Sequence, residues 1–190
     1  MKYTLQFRVW HWLNAIVLLA LVATVLLRWT LLSKSANAEI LMSKLSEMGL
    51  TITYDQGVIL AKALRVELWE WHILLGFTFA FLLLFRGYLY FKDGSKKKSF
   101  NELDTHHKAV TLSYYGLYSV LSIIAVTGLI IYFYKDLGIP KDVAHTFKEI
   151  HEFVYYYIAF FIPLHIVGVF FADATQEKGL VSDMINGGKS

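Results

Sequence analysis

Four stretches of this chain, about 9–32, 68–91, 109–134 and 150–172, hold enough consecutive apolar residues to cross a bilayer. A helix needs about 20 such residues to span a hydrocarbon core of about 30 Å. In lipid every backbone amide must be satisfied internally, which leaves helices or a closed barrel, and these runs lack the period-two alternation of barrel strands. The expected fold class is an all-α membrane protein. Residues 1–190 form one domain in which four transmembrane helices make a bundle and 33–67 is a long outer loop. Composition agrees: 56% of the 190 residues are hydrophobic and 17% charged, against about 45–50% and about 25% in soluble domains. An ordinary soluble enzyme is excluded. The formal charge of +3 comes mostly from loop lysines, which points to membrane orientation and not to a nucleic-acid partner.

Lys92, Lys96, Lys97, Lys98 and Lys108 lie between the second and third blocks, and Lys2 and Arg8 precede the first. The excess of basic residues in short inner loops places both segments, and with them both termini, on the cytoplasmic side. Trp10 and Trp12 at one end of the first span, and Trp29, Trp69 and Trp71 at the opposite level, are expected in the two interfacial aromatic belts. A basic start, an apolar run and Ala36-Asn37-Ala38 also suggest a secretory signal. The run of about 22 residues is too long for a signal core of about 7–15, so it is expected to remain as a span. The outer loop is expected to be helical over Ala38–Met48, stopped by Gly49, and again over Asp55–Val66.

The chain has no cysteine, which excludes disulfides, thiolate zinc, cysteine-held iron–sulfur clusters and c-type haem attachment. Metal chemistry must run through histidine. An ionisable side chain inside a span is costly and marks a functional site by default, and four histidines fall in the spans: His11, His72, His151 and His165. His151 and His165 are 14 residues apart, almost four helical turns, so they share one helix face about 21 Å apart. Depth then pairs His72 with His151 at the outer level and His11 with His165 at the inner level. Two opposed imidazoles from different helices are what a six-coordinate haem iron requires, so two non-covalent b-type haems are expected, with these pairs as iron ligands. Zinc is the weaker alternative, because each level offers two nitrogens where four ligands are usual. Equal depth for His11 and His165 requires tilt, or a first helix that starts before its apolar run.

Gly76 follows His72 by four residues and Gly168 follows His165 by three, which leaves room for a macrocycle on each ligand face. Arg86, 14 residues after His72, is expected to meet inner haem propionates. Arg28 is expected either to do so for the outer haem or to snorkel to headgroups. In the third span, Gly116, Gly128, Ser119, Ser122 and Thr127 are explained by close helix packing. His106, His107 and Lys108 inside, and Tyr155 and Tyr156 outside, are weak candidates for a quinone site. His145 is expected at the surface, and Glu152 either orients an imidazole or sits among headgroups.

Arg8-Val9-Trp10-His11-Trp12-Leu13-Asn14-Ala15, Trp71-His72 with Gly76 and Arg86, His151-Glu152 with His165-x-x-Gly168, and the tail Gly179–Gly188 resemble the bacterial cytochrome b561 family. That family includes b-type cytochrome subunits of nickel–iron hydrogenases. The resemblance covers all four spans and implies a di-haem electron carrier with axial ligands at His11, His72, His151 and His165. The long first outer loop departs from the pattern. The expected function is electron transfer between the quinone pool and a periplasmic redox protein or hydrogenase-like subunit. Two alternatives are a stand-alone quinone oxidoreductase, for example one that oxidises superoxide, and a non-redox structural bundle. A homodimer is left open.

Overall fold

A computed structural model describes residues 3–93, 100–175 and 177–188. Lys2, Lys96, Lys97 and Lys98, on which the orientation expectation partly rests, lie outside the described residues, as does the side chain of His106. Every regular element among the described residues is helical: α1 Leu5–Trp29, α2 Lys34–Glu47, α3 Tyr54–Ala63, α4 Val66–Asp93, a 3₁₀ turn Phe100–Glu102, α5 Thr105–Phe133, α6 Lys141–Thr175 and α7 Leu180–Asn186. Helices α1, α4, α5 and α6 are long and apolar enough to cross a membrane. No more than 17% of the residues in any of these four apolar windows is buried. Side chains such as Leu84 and Phe153, each 75% exposed, therefore need lipid around them.

Local chemistry sets the helix ends. The Asp104 carboxylate accepts from the His107 amide at 2.8 Å and caps α5. Thr53 and Gln56 form a reciprocal capping box at the start of α3. Gly49, at φ +79°, takes the left-handed turn after α2 that a side chain would resist. Pro140 stands directly before α6, where its missing amide costs nothing. Pro163 lies inside α6, which continues past it.

Contacts group the chain into two compact units, Met1–Ala15 with Phe79–Ser190, and Ile16–Thr78. In the larger unit α5 packs on α6, and α6 on α7, with Phe79, Leu89, Leu121 and Ile158 buried. The C-terminal carbonyls of α7 receive donors from α1: Arg8 bonds Met184 O and Ile185 O, and Trp12 Nε1 bonds Met184 O at 3.2 Å. A cation there also meets the negative end of the helix dipole. In the smaller unit α2 packs on α3 around Ala38, which is fully buried. Gly57 permits this approach, since a Cβ there would lie 3.2 Å from Ala38 O.

One expected alternative is met and two expectations change. Helix α1 begins at Leu5, four residues before its apolar run, so His11 sits in the second turn and not at the rim. Residues 141–149, expected to be loop, form the polar start of α6. Trp10 is not a belt residue: it is 4% exposed and donates from Nε1 to Leu82 O at 2.7 Å. Residues two positions apart on a helix point about 200° from each other, so when Trp12 faces out, Trp10 faces in.

Candidate functional site

Helices α1 and α6 bring His11 and His165 together within the larger unit. Their ring centroids are 6.2 Å apart with planes inclined by 54°. With metal–nitrogen bonds of about 2.0 Å, two imidazoles facing each other across one metal have centroids about 6 Å apart. The pair thus has the spacing a shared iron requires. Both rings are half-buried and set among aromatics: Phe7 and Trp12 contact His11, and Phe161 stacks on His165 at 5.7 Å and 14°.

Arg86 lies in the same unit, in an aromatic box. Its guanidinium stands 4.9 Å from the Phe7 ring centre and 5.4 Å from those of Trp10 and Tyr118, and its Nε donates to the Tyr118 hydroxyl at 2.9 Å. The box concentrates one positive charge beside the ring that touches His11. Tyr3 stacks on Phe7 at 5.4 Å. Burial, then Tyr114, Glu177 and Asp183, pushes the Tyr3 phenol up to about 12, so it stays a neutral donor. Tyr118 and Tyr3 were missed by sequence reasoning, which had no signal to separate them from interfacial tyrosines.

The outer histidines lie in different units, His72 in the smaller and His151 in the larger, and their local surroundings match. His72 Nδ1 is 2.7 Å from Thr24 Oγ1, and Trp69 stacks on the ring at 5.1 Å and 5°. His151 Nδ1 is 3.1 Å from Thr127 Oγ1. Its ring lies against α5 so closely that a Cβ on Gly128 would stand 3.1 Å from His151 Cε1. The packing explanation fits Gly128, which admits this α6 ring, and Ser119 and Ser122, whose hydroxyls turn back onto Tyr115 O and Tyr118 O; Thr127 adds a contact with His151 that packing alone does not describe. Thr24 had no sequence signal beyond being a hydroxyl in an apolar run.

A Cβ added at Gly76 or at Gly168 would meet open space, as a bulky flat group near those faces would need. Arg28 lies over Trp69 at 5.4 Å. Burial, and then the charge of Arg28, lowers the guanidinium pKa of Arg65. Glu152 pairs with Lys148 at 2.9 Å. His145 is exposed and faces Glu149 at 3.5 Å. His107 bonds the capping carboxylate of Asp104. Tyr155 and Tyr156 contact each other edge to face. Among the described residues no three or more His, Cys, Asp or Glu side chains gather to hold a metal, and His11 with His165 is a pair of imidazoles in contact.

A family model described as prokaryotic cytochrome b561 matches residues 2–187. The chain belongs to that family. It is a multi-pass membrane b-type cytochrome, and its family implies haem binding and electron transfer. No curated protein and no solved structure matches it.

Proposed function

We propose that this cytochrome carries electrons across the bacterial inner membrane between two b-type haems, one at each depth. It would join the quinone pool to a redox protein on the periplasmic side, such as a hydrogenase-like subunit. Both termini are then cytoplasmic. The observation that carries the reading is the contact of His11 with His165, 6.2 Å between ring centroids. Intramembrane histidines are retained where they do work, and this spacing suits one iron between two rings.

A bound haem iron would supply a reversible one-electron couple whose potential follows axial ligation, burial and nearby charge. In this reading His11 and His165 hold the inner iron, and His72 and His151 the outer one. With two imidazoles held on one iron, no position would be left for oxygen to bind. Gly76 and Gly168 leave room beside their ligands. Arg86, held by Tyr118 and three ring faces, supplies the positive charge that propionate carboxylates at the inner level would meet. The apolar helix faces keep water from the ligands.

Haem content per chain tests the reading. Two equivalents with b-type bands in the reduced-minus-oxidised spectrum support it, and a colourless preparation from haem-replete cells overturns it in favour of a structural bundle. Quinone reduction by the isolated chain, compared with turnover only beside a co-purifying partner, separates a stand-alone oxidoreductase from a carrier subunit.

A further inference from the structure

Among the described residues the buried polar side chains are Thr24, 8% exposed, and Thr127, 4% exposed, and each bonds one of the two outer histidines. Burying a hydroxyl is costly unless it is hydrogen-bonded. In a helix the usual partner is a carbonyl three or four residues back, and both threonines use it. Thr24 Oγ1 donates to Leu21 O at 2.6 Å. Thr127 Oγ1 donates to Ile123 O at 2.7 Å, with Ile124 O at 3.1 Å. A carbonyl only accepts and a hydroxyl has one proton, so that proton is committed in both cases. What each oxygen offers to Nδ1 is a lone pair, and the ring must be the donor; at His151 the Ile124 carbonyl is a second acceptor for the ring.

We infer that Thr24 and Thr127 are positioning residues that hold His72 and His151 in the Nδ1–H tautomer, leave the ligand lone pair on Nε2 and lower the potential of the haem these rings carry. The inference rests on the ligand assignment proposed above. A ligating imidazole whose other nitrogen donates a hydrogen bond is oriented and made more basic, and a more basic ligand favours ferric over ferrous iron. The inner pair differs: among the described residues no hydrogen bond reaches either ring, and the neighbours are aromatic. Geometry adds a second constraint at His151, where Gly128 lets α5 press on the ring edge that carries Nδ1.

The test is an anaerobic redox titration of the visible bands of purified holoprotein, in the wild type and in Thr24→Val, Thr127→Val, Thr24→Ser and Thr127→Ser. Valine keeps the shape and removes the oxygen; serine restores it. In both valine variants one and the same component is expected to titrate at higher potential. At a fixed potential its ferrous-to-ferric ratio should rise about tenfold, equivalent to about 59 mV for one electron. The other component stays in place, and the serine variants follow the wild type. Should valine cost that haem outright, content falls from two to one per chain and serine restores it, which supports the same conclusion. Valine variants that titrate as the wild type does, or serine variants displaced as far as valine, overturn the inference while leaving two haems in place. A wild-type protein without haem overturns the ligand assignment instead.

Discussion

His11 and His165 are wedged among Phe7, Trp12 and Phe161, whereas His72 and His151 each bond a buried threonine. Ring packing fixes where an imidazole sits but sets no tautomer, because a ring face neither gives nor takes the Nδ1 proton. A hydroxyl already committed to a carbonyl does set it. On the proposed assignment, one type of ligand would be tuned in two ways within one protein. Arg86 adds to the difference, since a cation held beside the inner level favours the ferrous state there. On the proposed ligand assignment both effects would put the threonine-bonded haem at the lower potential, and electrons would then run downhill from the outer level to the inner one.

The largest expected effect comes from removing a ligand at either level. His11→Ala and His165→Ala should each lose the same haem, and His72→Ala and His151→Ala the other, so content falls from two to one per chain. Loss of the same centre from His11→Ala and His72→Ala would break the comparison. The next effect tests how tightly the outer ring is held. Gly128→Ala drives a methyl to 3.1 Å from His151 Cε1 and should cost about 1–3 kcal/mol by overpacking. Thermal unfolding of the holoprotein, with the ferric low-spin signal of the outer haem, measures it. Gly76→Ala and Gly168→Ala meet open space in the polypeptide, and their effect should appear in haem retention alone.

Arg86→Gln sharpens the inner side. Losing the charge should lower the potential of the higher component by less than a ligand loss would and leave the threonine-bonded component unmoved, as read in the same redox titration. An unchanged inner component would remove Arg86 from the account. The smallest effect is a control outside the spans: Thr53→Ala removes the capping box of α3 and should cost about 1 kcal/mol. It should appear as faster amide exchange in α3, with both potentials unaltered.

The spans were legible because lipid imposes a pattern, long apolar runs, that hydropathy reads directly. Their ends were not. The first turn of α1, with Gln6 and Arg8, and the first turns of α6, with Lys141, Asp142 and Lys148, are helical but polar, so an apolar count passes over them. The span histidines stood out because their cost in a span demands a reason, and helical spacing sorted them by depth. Their supports did not stand out. Thr24, Thr127 and Gly128 are ordinary residues in a membrane helix, and only the placement of another helix's imidazole gives them a role. Trp10 was misread for the same reason: tryptophan near a span end suggests the interface until the carbonyl of Leu82 is found to hold its Nε1.

The central claim is that imidazole pairs from separate helices grip two haems at two depths. Electron paramagnetic resonance of the oxidised, purified protein, with haem counted in the same sample, tests it most directly. Two low-spin ferric signals at two haems per chain are expected, each lost with its own ligand pair. A single signal, or high-spin iron with an open axial position, would contradict it.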